Sequence, residues 1–222
     1  MVRCDNGHYK YCFSCYVLNM DNEKSTYRSI SKSVHEVIYR SRKSKFIGFA
    51  FPVTTEIEVS DILSSLRQQH AKANHFCYAY KIGYGGRTYR ANDDGEPKNS
   101  AGKPIYGQLV SLDLTNVLVV VVRYFGGIKL GVGGLIHAYR TTAQMTLESC
   151  TIITKTVTER FELKFNYDNL NGVMRILKKV PVTIISQEIN LTCKMQLTVS
   201  KNKIARLKNE FFNLKEVEFR QI

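Results

Sequence analysis

The sequence predicts an α+β chain of two domains, on three observations. A length of 222 residues exceeds the commonest domain size and suits two domains of about 100 residues each. Residues 157–222 read as strand, helix, strand, strand, helix, strand, the split βαβ order of a ferredoxin-like domain. Residues 27–153 hold a separate set of strands and helices around their own apolar run, VLVVVV at 117–122.

Residues 1–26 carry three of the six cysteines and no apolar period, so they predict a disordered extension that the fold does not need. Cys4, His8, Cys12 and Cys15 make a C-x3-H-x3-C-x2-C pattern. Zinc takes four sulfur or nitrogen ligands, but this spacing is tighter than a common finger and no second knuckle follows. No metal is therefore expected. The stretch 35–53, HEVIYRSRKSKFIGFAFPV, alternates basic and apolar residues and predicts a strand packed through Phe46, Phe49 and Phe51. A helix over 60–73 follows, with Ser60 as N-cap and Ile62, Leu63 and Leu66 as its apolar stripe. Residues 75–83 read as a strand, 91–104 as turn chemistry, and 106–114 as the start of a helix. A fully buried strand is predicted over 115–125 and a helix over 134–149, with Leu135, Ala138, Ala143 and Leu147 facing inward. CTIITKTV at 150–157 has no packing pattern and predicts the hinge. Beyond it come a strand, a helix capped by Asp168, two strands after Pro181, a helix from 201 and a last strand.

Composition narrows the partners. The apolar fraction is 44% and the charged fraction 23%, as in a folded soluble protein. The formal charge of +13 favours a polyanionic partner, with nucleic acid first among them. The longest apolar run, 117–122, falls far short of the ~18–20 residues that a helix needs to span a bilayer. The N-terminus lacks the apolar core of a secretory signal. A cytoplasmic protein with reduced thiols is the expectation, and no membrane partner.

RYFGGIKLGVGGLIHAYR (123–140) concentrates glycine at 126, 127, 131, 133 and 134, between the buried strand and a helix. Glycine lets a backbone approach a ligand and aim successive N–H groups at it, and a helix N-terminus adds partial positive charge. Arg123 and Lys129 supply full charges. Gly126, Gly127, Gly131, Gly133 and Gly134 with Arg123 and Lys129 are therefore the candidate anion site. It meets neither nucleotide motif. Gly126 and Gly131 have Walker A spacing, but Val132 and Gly133 replace its lysine and hydroxyl. Gly131 and Gly133 begin a dinucleotide fingerprint that Ile136 breaks. A close-packed turn would use the same glycines without a ligand. A second loop, DDGEP, holds Asp93, Asp94 and Glu96, with His75 nearby in the strand before it. Those four define the alternative, a metal-assisted hydrolase with His75 as general base. Turn chemistry alone accounts for the same letters. No catalytic residue and no cofactor are assigned, and Cys77, in an apolar strand, reads as inert.

KSKFIGFAFPV, AKANHFCYAY, DDGEPKNSAGKP and LTNVLVVVVRYFGGIKLGVGGLIHAYR together resemble the YigZ/IMPACT family, in family order over about residues 40–140. The resemblance implies a first domain, 27–153, like domain 2 of a ribosomal small-subunit protein and domain IV of elongation factor G. It implies a ferredoxin-like second domain, 157–222, like domain V of that factor. It further implies RNA or ribosome association, a possible protein partner in translation control, and no established catalytic residue. The loop PKNSAGKP departs slightly, since the family has Gly-Thr before Ala-Gly where Asn99 and Ser100 stand here.

Overall fold

The computed structural model describes residues 25–84, 88–212, 214 and 216–222. The candidate zinc ligands Cys4, His8, Cys12 and Cys15, and the expected extension apart from its last two residues, lie outside them. The chain forms two compact units, with Tyr27–Lys155 as the first and the residues from Thr156 onward in the second.

The first unit is built on a five-stranded antiparallel sheet. Its strands are β2 (Val34–Ser41), β3 (Ser44–Pro52), β4 (His75–Ile82), β5 (Thr88–Asn92) and β6 (Val117–Tyr124). They lie in the order β2-β3-β6-β4-β5. A short ribbon joins β1 (Thr26–Ile30) to β7 (Ile152–Thr156). Helix α1 (Glu56–Gln69) covers one face; α2 (Gly102–Ser111) and α3 (Gly131–Glu148) cover the other. The central strand explains its own composition. Val117, Val119 and Val121 pack under α2 and α3, while Leu118, Val120 and Val122 pack under α1. A strand buried on both faces needs a continuous apolar run, and each such side chain contributes about 1.5–3 kcal/mol.

Local chemistry shifts several boundaries from the sequence reading. The stretch 35–53 is a hairpin, β2 and β3, turning at Arg42 and Lys43, both left-handed with φ of 41° and 67°. Helix α1 starts earlier than predicted, because Thr55 rather than Ser60 caps it. The Thr55 hydroxyl accepts from the Glu58 N–H, and the Glu58 carboxylate accepts from the Thr54 N–H. Residues 102 and 131 open α2 and α3, where 106 and 134 are predicted. The predicted hinge holds a strand, β7, which the sequence hides because it is short and half exposed.

The second unit follows the predicted order. Strands β8 (Thr158–Asn166), β9 (Val182–Glu188), β10 (Thr192–Ser200) and β11 (Val217–Gln221) form an antiparallel sheet ordered β11-β8-β10-β9. Helices α4 (Leu170–Lys179) and α5 (Ile204–Phe212) cover its core face. This is a ferredoxin-like fold. Asp168 stands in a single 3-10 turn before α4 and makes no side-chain cap. On the opposite face of the sheet, the Glu162 carboxylate collects Lys194 at 3.1 Å, Arg220 at 3.1 Å and Lys164 at 3.8 Å. The hydrogen bond from Lys194, helped by the surrounding cations, holds its pKa below the ordinary carboxylate value.

Two tests follow from this packing. A Cβ on Gly126 would lie 2.1 Å from the carbonyl carbon and oxygen of Lys43, so Gly126→Ala should destabilise by about 1–3 kcal/mol or more in denaturant unfolding. Glu162→Gln should lower Tm at neutral pH. A depressed carboxylate contributes its stability above the unfolded pKa of about 4.3 and loses it as pH falls through the folded value. The Tm gap between wild type and Glu162→Gln should therefore close in acid; a gap independent of pH would contradict the ion cluster.

Candidate nucleic-acid interface

Register places four loops at one end of the first unit's sheet. Ser41 pairs with Ser44, Lys45 with Tyr124, His75 with Arg123, and Tyr78 with Asn92. The hairpin turn 42–43 and loops 70–74, 93–101 and 125–130 therefore converge there. Both candidate loops of the sequence reading lie at this end.

The acidic loop is consumed by the protein itself. Asp93 accepts backbone N–H groups from Asn99 (2.8 Å), Ala101 (2.9 Å) and Gly102 (2.8 Å), which caps α2 from a distance. Asp94 accepts from the Phe76 N–H at 2.6 Å and pairs with Arg67 at 2.7 Å. Glu96, with its side chain 4% exposed, accepts from Arg123 at 2.5 Å and from the Tyr139 hydroxyl at 2.7 Å. His75 bonds the Asp94 carbonyl through Nδ1 at 2.8 Å and stands 3.9 Å from Glu96 through Nε2. The structure thus brings His75, Asp94 and Glu96 together but turns each carboxylate to a protein donor. The hydrolase alternative is left without a carboxylate pair facing open space. Among the described residues no group of three or more His, Cys, Asp or Glu has metal-holding geometry. Burial pushes the Tyr139 phenol far above its usual value, so it stays a donor to Glu96. Burial also pushes the Cys77 thiol well up, and its Sγ donates to the Asp93 carbonyl at 3.0 Å.

Arg123 requires a correction. The sequence reading makes it an outward wall of the anion site, but it is 5% exposed and committed to Glu96. It is also a weaker donor to Ser44 Oγ at 3.4 Å, and its guanidinium lies 5.4 Å from the ring centres of both Phe46 and Phe125. The reason is register: Arg123 shares the parity of Val117, Val119 and Val121, so it points to the face covered by α2 and α3, where Glu96 and Tyr139 meet it.

The glycines divide by role. Gly126 lies against the Lys43 backbone, and its N–H donates to Ser44 Oγ at 3.3 Å. Gly127 and Gly131 have φ of 84° and 71°, which only glycine adopts freely. Gly133 would meet nothing within 4 Å, and Gly134 approaches only the Leu130 side chain. Helix α3 begins in this loop with no side-chain cap, whereas α2 beside it is capped by Asp93.

The structure adds cations that the sequence reading misses. Arg42 and Lys43 stand exposed on the hairpin turn directly over Gly126. With Lys129 in the glycine loop and Lys72, Lys98 and Lys103 in its neighbours, all exposed, they form no ion pair among the described residues. The signal was present as R-S-R-K-S-K at 40–45, a run too polar for the single strand predicted there.

A three-layer α+β domain with a cationic loop end, followed in sequence by a ferredoxin-like domain, defines the class of protein. The chain belongs to the IMPACT family. The Impact N-terminal domain matches residues 42–147. YigZ of Escherichia coli is 30% identical over 171 residues, covering 76% of this chain and 84% of that protein. YvyE of Bacillus subtilis is 36% identical over 145 residues, 65% of this chain and 66% of that protein. A crystal structure described as a hypothetical protein shares the fold, with a TM-score of 0.70 and 28% identity over 90% of this chain and 98% of its own.

The Arg123–Glu96 pair sets a clear expectation. Removing one partner strands a buried charge, so Arg123→Met and Glu96→Leu should each destabilise by about 3–5 kcal/mol. The double variant should recover much of that loss. Additive losses in denaturant unfolding would show that the two residues act independently.

Proposed function

We propose that the protein is a non-enzymatic RNA- or ribosome-associated protein that grips phosphate backbone at this loop end. The observation that carries the reading is the turn Arg42–Lys43. A two-residue hairpin turn with both residues left-handed normally takes Asn-Gly, because other side chains strain there by about 1–2 kcal/mol each. Here two cations occupy it, over a glycine with no room for a Cβ. Strain held at a surface position where two charges gain no internal partner is strain kept for an external one.

The electrostatics support the same reading. Asp94 and Glu96 are paired with arginines and Asp93 is turned onto backbone amides, so lysine and arginine predominate on the exposed end. The uncapped amides of α3 and the bare backbone of the glycine loop add donors suited to phosphate oxygens. The family resemblance makes the translation apparatus the expected target, with a protein partner in translation control as a second member of the same assembly. A cytoplasmic setting belongs to this reading. Among the described residues no helix is long and apolar enough to cross a membrane.

The test is a salt titration of RNA binding between about 50 and 200 mM. Lys129→Ala and Lys43→Ala should each lower the slope of log affinity against log salt by about one and weaken binding across sequences alike. Replacing Arg42–Lys43 by Asn-Gly should lower it by about two while raising stability by about 1–2 kcal/mol. Unchanged slopes in all three variants would refute the interface.

A further inference from the structure

We infer that Phe125 is an aromatic platform for an unpaired base, which makes single-stranded or looped RNA, rather than duplex, the ligand of the cationic end. The inference rests on the phosphate reading above and goes beyond it by naming the form of RNA.

Phe125 is 44% exposed and opens the 125–130 loop at the cationic end, four residues before Lys129. With Ile128 it exposes two large apolar side chains on one short loop, and an exposed apolar patch rimmed by cations marks an interaction surface. Its position is nonetheless fixed. The Phe125 N–H donates to Asn74 Oδ1 at 2.8 Å, tying the 125–130 loop to the 70–74 loop. Its ring centre lies 5.4 Å from the Arg123 guanidinium, which the buried bond to Glu96 holds still. Gly126 and Gly127 follow it, so the backbone beside the ring is bare. Ile128, 43% exposed on the same loop, adds a second apolar contact. A ring held at its backbone and against a fixed cation, with cations on both flanks, suits a stacked base whose neighbouring phosphates reach Lys43 and Lys129. Bases in a duplex are already stacked on each other and cannot reach such a ring without being splayed out.

Phe125 also covers Arg123, so the decisive variant keeps the cover and removes the aromatic face. Phe125→Leu should melt like wild type yet bind a labelled oligouridylate about five- to a hundredfold more weakly, the worth of one base–aromatic stack. Its salt slope should not change, because no phosphate contact is lost. Phe125→Tyr should bind as wild type does. Binding to an RNA duplex of equal charge should be weaker than to the single strand and indifferent to Phe125→Leu. Equal loss on both RNAs, or no loss on the oligouridylate while Lys43→Ala still lowers the slope, would overturn the platform and leave the phosphate grip standing. Failure of the wild-type chain to bind either RNA at low salt would overturn both.

Discussion

The buried pair of Arg123 and Glu96 organises the loop end of the first domain. One carboxylate oxygen accepts from the last inward residue of the central strand and from Tyr139 on α3. The same guanidinium reaches Ser44 at the start of β3, and Ser44 in turn receives the Gly126 amide. Strand, acidic loop, hairpin and glycine loop are thereby tied to a single charge pair screened from water. Such a pair is poor in net stability but costly to break on one side, so it specifies geometry more than it adds energy. One donor, the Arg123 Nε, is buried without a partner among the described residues. The arrangement tolerates that loss for the sake of holding four segments in register.

The inward turn of the acidic loop also sets the sign of the surface. A loop with three carboxylates in four residues would make an acidic end if they faced water. Turned inward, they cap a helix, hold a strand amide and neutralise buried or half-exposed arginines. What remains outside is lysine and arginine. The chain therefore presents a cationic surface at its most acidic stretch of sequence, and the hairpin turn adds two exposed charges.

The broad plan was legible because hydrophobic pattern reports burial directly. The run 117–122 reads as a strand buried on both faces, and it is one; residues 157–222 read as a ferredoxin-like order, and they fold that way. Three short strands of the first domain were not legible. β1, β5 and β7 are five residues each; β5 and β7 are mostly exposed and β1 buries only its last two residues, so they carry too few inward side chains to show a period. The hairpin was hidden because its turn uses Arg-Lys where the chemistry of turns calls for Asn-Gly. The acidic loop and the glycine loop were both visible as motifs, but their relation was not. Nothing in the spacing of Glu96 and Arg123 says that the two will neutralise each other, since that contact is made by sheet register across 27 positions of chain.

The ribbon of β1 and β7 has a consequence for how such a domain travels between proteins. Because the strand that enters the first domain pairs with the strand that leaves it, the unit Tyr27–Lys155 begins and ends at nearly one point in space. A segment closed in this way can be spliced beside different neighbours without stretching its host or unravelling itself. The Impact N-terminal domain match, residues 42–147, lies inside that closed span. What evolution can carry from one architecture to another is then a self-contained cassette, with its cationic end made wholly from residues that move with it.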